Sequence, residues 1–362
     1  MAGGGTGGHL YPGLAVAAEL RRRGPANQVS FIGTRRGIEH RLVPADGYPL
    51  RYIAIRGFLG KSIAGKLAFP FLFAWSVCQS LFYMIADRPD VLLGTGGYVS
   101  APPVLAAWLL RVPVGLLALD AMPSRAVRLL AGCAAEIYSG FPECAESIRP
   151  KRRVIFTGNP LRPEIGSVSR SDGAARFGLD HAQQTILLFG GSQGAHSLNT
   201  AMIDTLKAKA NDRRWRELQF IVQTGTRDCA RARTELAAMP MKVVVLPYIE
   251  NMPAAFAASD LVVSRSGSSV SETLACGLPS ILVPFPHAAS NHQEHNARSL
   301  ERGGAAVVIL ERDLTAERLA AAVEAVLFDH RTQRSMRRSA ADLARPGAAG
   351  MVTQRLLGLT AT

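Results

Sequence analysis

Residues 185–210, TILLFGGSQGAHSLNTAMIDTLKAKA, decide the fold. TILLF is apolar on consecutive positions, so a strand formed there buries both faces, and such strands belong to parallel sheets covered by helices on both sides. GGSQG is a turn, and HSLNTAMIDTLKAKA (196–210) reads as a helix. Downstream the pattern repeats: QFIVQTG, KVVVLPYI, DLVVSRSG and SILVPFP predict strands, with SVSETLACG a helix between the last two. Upstream it has already run once. LYPGLAVAAELRRRG (10–24) predicts a helix, QVSFIGT (28–34) a strand and DVLLGTGG (90–97) a strand entering a glycine loop. APPVLAAWLLRVP (101–113) follows as a helix, then VGLLALD (114–120) and EIYSG (136–140) as short buried strands. Two runs of strand, glycine loop and helix predict two doubly wound α/β domains. We place them at 1–157 and 158–345, with a last helix in 346–362 that packs on either one. The seam falls in RPKRRVIFTGNPLRPEI (149–165), rich in proline and arginine.

The length of 362 residues suits two such domains, and 48% hydrophobic against 19% charged residues excludes wholesale disorder. The net charge of +13 comes mostly from arginine and favours anionic partners. It is uneven: +9 falls in residues 1–157 and +4 in the remainder. No nucleic-acid recognition motif accompanies the charge, so nucleic acid is not expected as a partner. The five cysteines form no CxxC pair, which argues against a disulfide framework or structural zinc and for a reducing compartment. No secretory signal is expected at residues 1–9, which lack an apolar core.

Residues 67–86, LAFPFLFAWSVCQSLFYMIA, carry no charge over about one bilayer's length. A buried or half-buried helix is the first reading. An apolar surface that dips into one leaflet, helped by Lys61 and Lys66, is the second, and a true span the third.

Three glycine loops open helices: GGGTGG (3–8), GTGGYVS (94–100) and GGSQGAHSLN (190–199). Glycine lets backbone approach a ligand, and the N–H groups of a helix start favour negative charge. Three such junctions point to a phosphorylated ligand. The first loop lacks the preceding strand that a dinucleotide site needs, since only Met1 and Ala2 stand before it; a start upstream of Met1 is expected. Gly33-Thr34-Arg35, where a dinucleotide enzyme would carry an acidic residue, argues against an oxidoreductase. In RSGSSVSET (265–273), Glu272 falls in the first turns of a helix, where a carboxylate takes both ribose hydroxyls or merely complements the helix start. PHAASNHQEHNARSL (286–300) gathers His292, Gln293 and Asn296; a sugar fits this set better than a metal, which would need HExxH or Cys/His spacing.

GGTGGHLYPGLAVA, LGTGGYVSAPPVLAAWLLRVPV, GNPLRPEI, LLFGGSQGAHSLN and DLVVSRSGSSVSETLACGLPSILVPFPHAASNHQEHNARSL resemble, in order and over nearly the whole chain, the MurG family. Its members are the membrane-associated N-acetylglucosaminyltransferases of peptidoglycan synthesis. The resemblance implies a GT-B fold, two Rossmann-like domains facing a cleft. It implies inverting transfer of GlcNAc from UDP-GlcNAc to the MurNAc 4-hydroxyl of lipid I, giving lipid II. It also implies a peripheral place on the cytoplasmic face of the plasma membrane, an anionic membrane surface and other cell-wall synthesis proteins as partners, and no cofactor or catalytic metal. Carried over by motif, Glu272 holds the uridine ribose, Arg162, Ser192 and Gln193 face the donor diphosphate, and His292 and Gln293 contact the donor sugar. Thr6, Gly7, Gly8, Gly96, Gly97 and Tyr98 of the first two loops face the acceptor diphosphate and the reacting centre, and residues 61–85 correspond to the membrane-contacting region. His9 is the candidate base, or a group that only hydrogen-bonds a phosphate or the backbone.

The chain departs from the family in three places. The strand before the first loop is absent. Where the family has His-Glu-Gln-Asn, this chain has Leu117-Ala118-Leu119-Asp120, so Asp120, the second catalytic candidate, replaces the asparagine that would face the donor sugar and cannot donate as an amide does. The loop ending at Glu272 is one residue short. A GT-B relative with another lipid or sugar acceptor, or an inactive membrane-surface nucleotide-sugar binder, therefore stays open beside the lipid I transferase.

Overall fold

The computed structural model describes residues 1–57, 63–148 and 153–360, without the side chains of residues 63–67. Lys61, the side chain of Lys66, and residues 149–152 of the seam lie outside the described residues. The chain forms two compact units: Met1–Arg162 together with Arg345–Thr362, and Pro163–Ala344.

The first unit holds strands β1 (Phe31–Gly33), β2 (Leu50–Tyr52), β3 (Leu92–Gly94), β4 (Val114–Ala118), β5 (Glu136–Ser139) and β6 (Val154–Phe156). β1 pairs with β2, and β3 to β6 follow in chain order, all parallel. Between β1 and β3 runs the backbone of Met1–Gly3. Ile32 N donates to Met1 O (2.8 Å) and Gly3 N to Ile32 O (3.2 Å). On the other side Ala2 N donates to Leu93 O (2.8 Å) and Thr95 N to Ala2 O (2.9 Å). Three residues thus satisfy both neighbouring ladders, and the first glycine loop leaves from the sheet's centre, where doubly wound folds bind ligands.

The second unit holds β7 (Thr185–Phe189), β8 (Gln219–Gln223), β9 (Lys242–Leu246), β10 (Leu261–Ser264), β11 (Ser280–Leu282) and β12 (Ala306–Val308), in the spatial order β12-β11-β10-β7-β8-β9. The stretch TILLF has the centre. Ile186 and Leu188 pack into one core with Leu198, Met202, Trp215 and Val323; Leu187 and Phe189 pack into another with Phe256 and Val262. Alternate side chains thus feed cores on opposite faces of the sheet, which is why the run shows no polar alternation.

The last helix, Ala348–Leu359, packs on the helix Gly7–Arg23 of the first unit. Val352 and Leu356 join Leu117 and Tyr138 in its core, and Arg355 reaches the buried Glu136, its Nε 3.0 Å from Oε2. Arg153 also approaches Glu136, at 3.5 Å. Removing one partner of a buried carboxylate leaves it short of a donor, and Arg153 compensates in part. Arg355→Ala is therefore expected to lower stability by about 1–2 kcal/mol, read as an earlier urea midpoint.

The helix Ile63–Asp87 is the apolar segment. One side is docked: Ser76, Ser80 and Met84 are buried, Gln79 Oε1 accepts from Ala54 N (2.9 Å), and Tyr83 donates to Tyr52 O (3.0 Å). The other side is bare, with Phe71 79%, Phe82 68%, Ile85 62% and Trp75 59% exposed. The neighbouring helix Ala101–Leu109 ends in exposed Trp108, Leu109 and Leu110. A helix bound along one side to a protein core is not surrounded by lipid, so the half-buried reading describes it, and its bare side has the chemistry of a leaflet-facing surface.

Candidate functional site

In the first unit, the helix Gly7–Arg23 begins directly at the end of the glycine loop. Its first-turn N–H groups, those of Gly7 and Gly8 among them, have no acceptor within the helix, which makes an anion cradle. Thr6 stands at the cap position but does not cap. Its Oγ1 instead meets His9 Nδ1 at 3.2 Å. The second glycine loop closes on the same imidazole: a Cβ at Gly96 would lie 3.0 Å from His9 Cδ2, and one at Gly97 3.5 Å from Nδ1. Both glycines have positive φ, so the loop needs glycine for conformation as well as space. Tyr98 lies against Gly5 and Gly57, and burial together with the Glu39 charge holds its phenol above the ordinary value. Thr6, Gly7, Gly8, His9, Gly96, Gly97 and Tyr98 thus form one cluster.

Asp120 follows β4, whose Leu117 carbonyl lies 3.7 Å from the Gly96 Cβ position. Asn159 donates to Leu119 O (2.9 Å) and steadies this strand end. Burial first, and the Asp120 charge second, push the Cys144 thiol up to about 12. Arg162, which ends this unit, lays its guanidinium over the Tyr11 ring at 4.4 Å.

In the second unit, Ser192 and Gln193 are exposed at the tip of the loop after β7. That loop is braced from behind. Gln223 Nε2 donates to Gly191 O (2.7 Å), and a Cβ at Gly194 would fall 1.9 Å from Thr224 O. Two strand ends therefore meet backbone to backbone, a contact that admits no side chain. Gln293 Oε1 accepts from Phe285 N (2.9 Å), its backbone carbonyl accepts from Ser266 Oγ (2.7 Å), and Asn296 Nδ2 donates to Ser266 O (3.1 Å). The RSGSS and HQxxN stretches are thereby tied together. His292 Nδ1 lies 2.8 Å from Ala289 O; a carbonyl only accepts, so Nδ1 donates in this bond. Ser290 and Asn291 just before it both hold positive φ, a strained lead-in of the kind that concentrates at ligand sites. Glu272 sits in the first turn of the helix Ser269–Ala275. Burial first, and its charge second, push the Cys276 thiol up to about 11. Among the described residues no three His, Cys, Asp or Glu side chains are grouped to hold a metal ion.

Sequence reasoning passed over three supporting groups. Arg265, 9% exposed, donates to Val283 O, Pro284 O and Ser197 Oγ, joining the helix His196–Ala208 to the Phe285 segment. His196 Nδ1 is 3.0 Å from Asp228, which also accepts from Asn199 (2.8 Å). Burial opposes the Asp228 charge, yet the bonds from Asn199 and His196 hold its pKa below the usual carboxylate value. The third is Glu39, buried beneath the first loop. Each makes contacts between segments distant in sequence, so no local pattern signals it.

The sequence matches the C-terminal domain of glycosyltransferase family 28 over residues 185–350 and the N-terminal domain of that family over residues 1–139. It is 42% identical, across 96% of its length and 89% of the relative's, to the UDP-N-acetylglucosamine–N-acetylmuramyl-(pentapeptide) pyrophosphoryl-undecaprenol N-acetylglucosamine transferase of Anaeromyxobacter sp. (strain K). It is 40% identical to the Moorella thermoacetica protein of the same name, across 99% of this chain and 97% of the other. The chain belongs to the MurG family. The crystal structure of Acinetobacter baumannii MurG superimposes with a TM-score of 0.78 at 30% identity, covering 98% of this chain and 97% of that one. The fold is thus GT-B, with the two glycosyltransferase family 28 domains in family order.

Proposed function

We infer that this protein transfers GlcNAc from UDP-GlcNAc to the MurNAc 4-hydroxyl of lipid I, forming lipid II. Near-full-length identity to relatives named for that transfer is the observation that carries the reading. The second unit takes the donor: Glu272 the ribose, Ser192, Gln193 and the helix start behind them the diphosphate, His292 and Gln293 the sugar. The first unit takes the acceptor, with its diphosphate on the first two glycine loops and the 4-hydroxyl at His9. In the inverting step the hydroxyl oxygen bonds the anomeric carbon as the bond to the UDP oxygen breaks. The hydroxyl proton passes to His9 Nε2, and the negative charge leaves with UDP. For Nε2 to accept, Nδ1 must keep its own proton, and the Thr6 hydroxyl at 3.2 Å offers that proton an acceptor. The test is transfer of labelled GlcNAc to a lipid I analogue; UDP binding without transfer would overturn the reading.

A second reading, a relative with another acceptor, is favoured by Asp120 and Ala118. It predicts that transfer to lipid I is absent in the natural protein and appears in the double variant Ala118→Glu, Asp120→Asn.

We place the enzyme peripherally on the cytoplasmic face of the plasma membrane, with the Phe71, Trp75, Phe82 and Ile85 ridge in the leaflet and the arginine-rich first unit against anionic headgroups. Burying a large apolar side chain is worth about 1.5–3 kcal/mol. Trp75→Ser with Phe82→Ser is therefore expected to cut co-sedimentation with phosphatidylglycerol vesicles by at least about tenfold, leaving transfer to a water-soluble acceptor unchanged.

A further inference from the structure

We propose that Glu39 is a positioning residue of the acceptor site, its carboxylate setting the shape of the first glycine loop; this rests on the reading that the loop grips the acceptor diphosphate. Glu39 is fully buried at the start of the helix Glu39–Ala45. Its Oε2 accepts from Gly5 N at 2.8 Å. Its Oε1 accepts from Thr34 N (2.8 Å) and from Thr34 Oγ1 (2.6 Å). The carboxylate therefore bolts the glycine loop to the turn that leaves β1.

Three glycines make room for it. A Cβ would come within 2.4 Å of the carboxylate at Gly4, within 2.7 Å of the Glu39 side chain at Gly33, and within 2.0 Å of the carboxylate at Gly37. Space cleared around one charged group both from the first glycine loop, at Gly4, and from the end of β1 and its turn, at Gly33 and Gly37, marks a built feature, not a carboxylate caught in the core. Its three donors are two backbone N–H groups and a hydroxyl, which satisfy the charge without a cation.

The consequence is chemical. Gly5 N–H is committed inward, to Glu39. The first-turn N–H groups of Gly7 and Gly8 remain directed along the helix axis, and Thr6 is left to meet His9 (3.2 Å). Glu39 touches neither substrate nor reacting atoms; it acts through Gly5. Glu39→Gln keeps the shape and the acceptor for Thr34 but turns an amide donor toward Gly5 N–H, so the loop shifts. A displacement of about 1 Å costs on the order of 10²-fold in rate.

The experiment uses the full chain with UDP-GlcNAc and a lipid I analogue. For Glu39→Gln we expect kcat/KM for the acceptor to fall on the order of 10²-fold, while the Kd for UDP, by calorimetry, stays within about twofold of the natural protein. The Gly5 amide proton, strongly deshielded by the carboxylate, should move upfield in the nuclear magnetic resonance spectrum. Thr34→Val, which removes one donor without creating a donor clash, should act in the same direction more weakly, and carries the test should Glu39→Gln not fold. Unchanged acceptor kinetics, or equal loss for donor and acceptor, overturns the proposal. The parent reading fails separately: acceptor added to the natural protein would then leave the Gly5, Gly7 and Gly8 amide signals unmoved.

Discussion

His9→Ala is expected to lower kcat for GlcNAc transfer by about 10²–10⁴-fold, the usual contribution of a positioned general base, with the Kd for UDP unchanged. The magnitude follows from how the imidazole is held. It stands in the first turn of the helix Gly7–Arg23, touches Thr6 Oγ1 at 3.2 Å, and is backed by the second glycine loop. That confinement leaves few rotamers, so the reacting nitrogen is pre-placed and little entropy is lost in reaching the hydroxyl. A phosphate-binding role makes a different forecast. His9→Gln keeps a side-chain hydrogen-bond donor and would preserve the rate if His9 merely held phosphate. If His9 is the base, the Gln variant is as slow as the Ala variant, because an amide cannot take the hydroxyl proton. A fast Gln variant would remove His9 from the chemistry.

How much of this was legible depended on whether a feature was local. The strand TILLF and the loop GGSQG are contiguous, and both cores of the second unit follow from its uninterrupted apolar run. The central position of the first sheet was not legible, because backbone hydrogen bonds, not side-chain pattern, place Met1–Gly3 between β1 and β3. β2 and the helix Glu39–Ala45 carry Pro44 and a half-polar strand, so neither shows a clean period. The apolar segment 67–86 has no charge pattern to reveal which side docks. Its docked side is fixed by Gln79 and Tyr83, whose partners Ala54 and Tyr52 are some thirty residues away (25 and 31). Glu39 illustrates the general limit: Gly33, Thr34 and Gly37 are visible before it, but the fourth partner, Gly5, lies 34 residues upstream.

Glu272→Ala is expected to weaken UDP and UDP-GlcNAc about 10²-fold, since hydrogen bonds to a charged acceptor contribute about 1.5–3 kcal/mol each and a ribose offers two. The site for such a pair is the first turn of Ser269–Ala275, where the helix start also favours the carboxylate's charge. Burial first, and the Glu272 charge second, push the neighbouring Cys276 thiol up to about 11. Glu272→Gln should therefore bring Cys276 down toward its ordinary value and quicken its alkylation at a given pH. That readout moves whether or not the nucleotide binds there, so it separates a misplaced side chain from a wrong assignment. The assignment itself is tested by a cycle. If Glu272 grips the ribose, 2′-deoxy-UDP binds the natural protein more weakly than UDP does, and the difference disappears in Glu272→Ala, because the removed hydroxyl and the removed carboxylate are one interaction. Additive losses would assign the ribose to another group and leave Glu272 as a helix-start charge.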